Sequence, residues 1–189
     1  MTRIIDKFKI GYNKIRRIPK HQLLNRLFLG FKKQITNYPT YIIFQTVSAC
    51  NLQCKHCFIN NYGTEISDGE TKIILYPEFL KIAQRLVPLV KKCNYFVFST
   101  FEAIINKDLF KMMDYLISIN PKIQFPFLSN SMQLTPEKIA LLEKYPISEI
   151  NISLDGTSRN VVEDFKTGVE FEKILLALDR LSKSILRNK

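Results

Sequence analysis

No stretch of this 189-residue chain approaches the run of about 18 apolar residues that a membrane-spanning helix needs. The N-terminal run MTRIIDKFKIGYNKIRR lacks the uninterrupted apolar core of a secretory signal. Cysteine is sparse: of four residues, three crowd into one loop, which does not read as a secreted disulfide framework. Acids are nearly missing from residues 1–40, where ten Lys or Arg face only Asp6, so this segment carries +9 of the formal +11. These absences point to a protein that is soluble or membrane-peripheral, placed in a reducing cytoplasm. What is present, 46% apolar residues over 189 positions, is enough for one globular domain with a core.

The basic segment also carries Ile4, Ile5, Phe8, Ile15, Leu23, Leu24, Leu27, Phe28 and Phe31 at roughly helical spacing. Residues 1–37 therefore read as a basic amphipathic helical extension, and residues 38–189 as the main domain. Two roles are open for the extension. Its apolar face can pack on the domain, the favoured reading, or residues 1–36 can make peripheral contact with an anionic membrane. Nucleic acid is disfavoured, because no interleaved aromatic pattern follows the charges.

From Tyr38 onward strand-like and helix-like stretches alternate. The β-branched and aromatic run at 40–47 reads as a strand, followed by a helix at 77–92 with Pro77 in its first turn. Pro88 is expected to kink or shorten that helix. Further strands are expected at 95–99, 122–130 and 149–156, although Pro126 weakens the middle one. Helices are expected at 106–119, from Thr135–Pro136 as cap and first residue, and at 171–186. Such alternation implies βαβ units and a parallel sheet. Right-handed crossovers would curl the four units into a partial (β/α) barrel, an α/β fold. Active sites in barrels collect at the carboxyl ends of the strands, where the cysteine loop, Ser99–Glu102, Ser129–Asn130 and Ser153–Asp155 all fall.

Cys50, Cys54 and Cys57 stand in SACNLQCKHCF with three and two residues between them. A closed zinc site wants four ligands, and the triplet supplies three, with His56 poorly placed as a fourth. Three thiolates on a tight loop suit a [4Fe–4S] cluster whose fourth iron stays open to a further ligand. A redox loop or a zinc-binding, non-catalytic module is the alternative. Cys93, in LVKKCNYFVF, reads as a small buried hydrophobe.

The spacing Cys-x3-Cys-x2-Cys, with Asn51 after the first Cys and Phe58 after the last, resembles the radical S-adenosylmethionine (SAM) superfamily. The resemblance runs over roughly residues 40–181. It implies a [4Fe–4S] cluster on Cys50, Cys54 and Cys57, with SAM chelated to the open iron. It further implies reductive cleavage of SAM to a 5′-deoxyadenosyl radical that abstracts hydrogen from a substrate the sequence does not identify. An electron donor such as flavodoxin or ferredoxin would be needed. The alternative is a degenerate or truncated relative that binds cluster and SAM without turnover, since family barrels usually continue with two further βα units.

Several segments carry the resemblance further. FSTFEAIINKDLF corresponds to the family's Gly-Gly-Glu-Pro-like stretch, which binds the SAM amino group. Glu102 keeps its register, while Ser99, Thr100 and Phe101 replace the glycines and Ala103 the proline. Apart from the family, Glu102 reads as a solvated loop acid. LSNSMQL resembles a Thr-Asn-Gly stretch, with Asn130 retained and Ser131 where glycine is usual. INISLDG implies that Ser153 contacts the SAM ribose or carboxylate and that Asp155 shapes the rim. Lys166 falls where relatives often use Arg on the SAM carboxylate, keeping the charge without the fork. His56 stands where the family prefers an aromatic beside the adenine; a solvated loop His is the plain alternative.

Overall fold

In a computed structural model the chain divides into two units, Met1–Asn37 and Tyr38–Lys189. The structure describes residues 38–57 and 73–188. The basic extension expected at 1–37 lies outside the described residues.

The second unit is α/β. Its order is β1 (Tyr41–Ile43), β2 (Gln53–Cys54), α1 (Tyr76–Val90), β3 (Tyr95–Val97), α2 (Leu109–Ile119), β4 (Phe125–Ser129), α3 (Pro136–Leu142), β5 (Ile147–Ile152), α4 (Arg159–Phe165), β6 (Lys166–Thr167) and α5 (Phe171–Lys183). Short 3-10 turns at Ala103–Ile105 and Ile185–Asn188 complete it. β1 pairs parallel with β3, and β4 pairs parallel with β5. One parallel bridge, Tyr95 to Gln124, connects the couples, flanked by hydrogen bonds from Phe96 N to Gln124 O and Gln124 N to Asn94 O, each 2.9 Å. The expected parallel pairing is therefore present as two short couples rather than as one long ladder. The strands run three to six residues, which leaves little backbone to pair between the couples.

The core lies between these strands and the helices. Phe96, Phe98, Phe125 and Phe127 alternate inward and meet Phe79 and Ala83 of α1 and Met112, Met113 and Leu116 of α2. Phe96 and Phe98 lie 5.0 Å apart between ring centroids, and Phe98 and Phe125 lie 5.5 Å apart. Burying one such ring contributes roughly 1.5–3 kcal/mol. Cys93 belongs to this core, hydrogen-bonds Val90 O, and has its thiol pushed up by burial, as a packing residue would. A smaller cluster joins Leu52, Val162, Val169 and Ile174. It lies beneath the cysteine loop.

Helix signals behave as their chemistry predicts. Thr135 caps α3 by accepting from Lys138 N, with Pro136 next in the chain. In α5, Ile174, Ala177 and Leu181 fall on one buried face, with Arg180 and Lys183 in the last turn. Pro88 does not break α1, which ends two residues later at Val90; only the final turn is left without the bond proline cannot donate. Pro126 sits at a register shift in the β4–β5 pairing, where a strand tolerates a missing donor.

Candidate cofactor site at the strand ends

Thr46 and Val47 carry the chain from β1 toward the cysteine loop and are fully buried. Thr46 donates from both its backbone N (2.8 Å) and its Oγ1 (2.9 Å) to Phe98 O. The loop is then held from below and from the side. Leu52, 3% exposed, plugs the second core. β2 pairs antiparallel with β6, setting Cys54 opposite Lys166 and Gln53 opposite Thr167. Lys55 N donates to Phe165 O at 3.0 Å, and Lys55 Nζ meets Asp164 at 2.5 Å. Gly168, at φ +91°, lets the chain turn directly after β6 and pass under Leu52.

Cys50, Cys54 and Cys57 are all half-buried and line one cavity of about 250 Å3. His56, Thr100, Phe101, Glu102, Asn130, Ser153 and Lys166 line it with them. Ser99 and Asp155 do not. Ser99 is 2% exposed; its Oγ donates to Val47 O and accepts from Phe101 N, each at 3.0 Å, so it shapes the loop. Asp155 acts through Lys166. Leu52 and Leu128 line the cavity without having been expected from the sequence, and Ser129, already among the strand-end residues, lines it too. Ser129 and Leu128 stand at the end of β4, and that position was the available signal.

The donor set fits an iron–sulfur cluster. Burial pushes the Cys54 thiol up; Lys166 opposes this, while Cys50, Cys57 and Asp155 add to it. Ionising Cys54 beside two further sulfurs is favoured by a positive centre in the cavity. Among the described residues, no three His, Cys, Asp or Glu side chains converge on a point suited to a single ion. Three thiols on one short loop are the donors that an iron–sulfur cluster takes.

Glu102 is no solvated loop acid: it is 2% exposed. Its carboxylate accepts from Ser129 Oγ at 2.8 Å and from Asn130 N at 2.7 Å. Burial pushes its pKa up from the ordinary 4.5, and these two hydrogen bonds, with Lys138 and Lys166 at longer range, pull against it. Thr100 is clamped by Gln45, whose Nε2 donates to Thr100 Oγ1 at 2.5 Å and whose Oε1 accepts from Thr100 N at 2.9 Å. The segment that carries no glycine is thus pinned by Gln45, two residues past the end of β1.

Lys166 is 2% exposed and spends all three ammonium protons locally. They go to Ser153 O at 2.5 Å, Ser153 Oγ at 3.0 Å and Asp155 Oδ2 at 2.8 Å. It therefore ties β6 to the exit of β5 with its charge beside the cavity wall. His56 is exposed, 4.0 Å from Asp155 and edge-on to Phe165 at 5.9 Å between centroids.

Ser131 has φ +72°, in the left-handed region where glycine is at home. It is 2% exposed, and its Oγ has no hydrogen-bond partner. An L-residue in this conformation costs roughly 1–2 kcal/mol, partly returned because serine loses less chain entropy on folding than glycine. Ser131→Gly is expected to raise stability by about 1 kcal/mol, read as a higher midpoint in urea at unchanged slope. A lower midpoint would show that the buried hydroxyl is satisfied after all.

The chain is 25% identical over 166 residues to a mycofactocin maturase, MftC, of Mycolicibacterium smegmatis, covering 86% of this chain and 39% of that protein. It is 23% identical over 152 residues to an AdoMet-dependent heme synthase of Methanosarcina barkeri, covering 79% and 41%. The chain thus spans about two fifths of the length of these relatives. In fold it resembles anSMEcpe with bound AdoMet (TM-score 0.59, 20% identity, 77% of this chain and 41% of that one). It also resembles SuiB of Streptococcus suis bound to S-adenosylmethionine (TM-score 0.54, 14% identity, 94% and 48%). Residues 44–188 match the radical SAM superfamily, whose members bind a [4Fe–4S] cluster and SAM, and the chain belongs to that superfamily.

Proposed function

We propose that residues 38–189 form a partial radical SAM (β/α) barrel of about four parallel strands, holding a [4Fe–4S] cluster on Cys50, Cys54 and Cys57 and SAM beside it in the same cavity. The observation that carries this reading is the meeting of the three cysteines with Glu102, Asn130, Ser153 and Lys166 around one cavity at the strand ends. When bound, cluster and SAM supply an electron and a 5′-deoxyadenosyl radical for hydrogen abstraction.

The chain's own residues bind, orient and seal. Glu102 fixes the backbone after β4, and Gln45 fixes that of Thr100, so the walls where SAM's amino acid end would lie are rigid before it arrives. Lys166 and Asp155 form a nearly neutral pair, which leaves Ser153 as the hydroxyl at that wall. His56 and Phe165 offer ring surface at the rim. The same reading includes a basic amphipathic extension over residues 1–37, a small electron donor such as flavodoxin or ferredoxin, and a reducing cytoplasmic setting.

A second reading, binding without turnover, is favoured by one feature: the side chains of Thr100 and Phe101 line the cavity where the family carries glycine. One assay separates the two. Reconstituted protein incubated anaerobically with dithionite and SAM is expected to release 5′-deoxyadenosine. A yield no higher than that of a cysteine-free control would leave only the binding reading.

A further inference from the structure

We propose that Asn130 is a positioning residue for the cluster, its side-chain amide donating an N–H···S hydrogen bond to the Cys50 thiolate and raising the reduction potential of the centre. The inference rests on the cluster assignment above and adds a tuning group that the cysteine spacing does not reveal.

Asn130 Nδ2 lies 3.3 Å from Cys50 Sγ. The same nitrogen lies 2.9 Å from Asn51 Oδ1, so its two protons have two acceptors. The other end of the amide is equally occupied: Oδ1 accepts from Met132 N at 3.0 Å. With oxygen on a donor and nitrogen on two acceptors, the amide has one orientation. Its backbone is held as well, because Asn130 N donates to the buried Glu102 carboxylate at 2.7 Å. At 7% exposure the side chain has little room to swing away. The sequence distance is large, 80 positions between Asn130 and Cys50, so the contact depends on the end of β4 arriving beside the cysteine loop.

The physical effect has a definite sign. Hydrogen bonds to the sulfurs of an iron–sulfur centre are among the levers that set its potential. Reduction adds negative charge that spreads onto the sulfurs, so a donor stabilises the reduced form more than the oxidised one. Losing the donor makes the centre harder to reduce.

The test uses the full-length chain, reconstituted anaerobically. Asn130→Leu keeps the side-chain volume and removes the donor; Asn130→Asp keeps the shape and replaces the donor with an acceptor. Both are expected to show a more negative midpoint than wild type in a redox titration followed by the resonance of the reduced cluster, with Asp shifted further. An unchanged midpoint in Asn130→Leu carrying wild-type iron content would overturn the proposal. Should neither variant load iron, wild-type protein with 15N-labelled asparagine is decisive: pulsed resonance on the reduced cluster should show side-chain 15N coupling. Its absence overturns the proposal too. If wild-type protein itself assembles no cluster, the cofactor assignment fails rather than this refinement of it.

Discussion

Replacing Cys50, Cys54 and Cys57 together by alanine is expected to abolish iron binding, against about four irons per chain in reconstituted wild type. Loss should be all or none, because the three sulfurs share one cavity and no other cysteine is near enough to substitute; Cys93 is sealed in the phenylalanine core. The fold should survive. The loop is held by Leu52, by the β2–β6 ladder and by Lys55 on the Phe165 carbonyl, none of which involves a cysteine side chain. Unchanged circular dichroism beside absent iron would show that the triplet serves the cofactor. Iron retained by the triple variant would end the cluster reading, and a single tightly bound zinc in wild type would favour the zinc module.

The second large effect concerns Glu102. Glu102→Ala leaves the Asn130 N–H and the Ser129 hydroxyl without their acceptor in a site 2% exposed. Each orphaned donor costs about 1–3 kcal/mol, so a loss of about 3 kcal/mol is expected in denaturant unfolding. Glu102→Gln should cost far less, since its amide oxygen can still accept from Asn130 while Ser129 rotates its hydroxyl. The glutamine also isolates a pH effect. Burial raises the Glu102 pKa in the folded chain above the ordinary 4.5, so the folded state binds that proton more tightly than the unfolded state. Its contribution is complete below the unfolded value and fades as pH rises through the folded value. From about pH 4.5 upward, wild-type stability should therefore carry a falling component that Glu102→Gln lacks. Parallel stability curves for the two proteins across that window would refute the assignment.

Local chemistry made much of this readable in advance. The stretches at 95–99 and 122–130 read as strands and contain β3 and β4, and the cap Thr135 with Pro136 announced α3. Ser131 stood out only through the family resemblance, as a serine where glycine is usual; its left-handed φ of +72° came from the structure. Other parts are made by contacts between distant segments. Glu102 reads as a surface acid until Ser129 and Asn130 reach it from the next strand end. β2 and β6 are two residues each, too short for any periodicity, and exist because they pair with one another. α4 was missed for a related reason: of its seven residues only Val162 is buried, so it shows no apolar stripe.

That β2–β6 ladder has a consequence for biosynthesis. Lys55 and Asp164, which meet beside it, are separated by 109 positions. A ribosome adding 5–20 residues per second needs roughly 5–20 s to make that stretch. Throughout this interval the cysteines are already translated, yet the segment that will brace their loop does not exist. A nascent chain in this window carries three adjacent thiols exposed to oxidation and to stray metals. Productive iron–sulfur loading thus belongs after synthesis has passed about Gly168, and slowing elongation beyond the cysteines should lengthen the period of vulnerability.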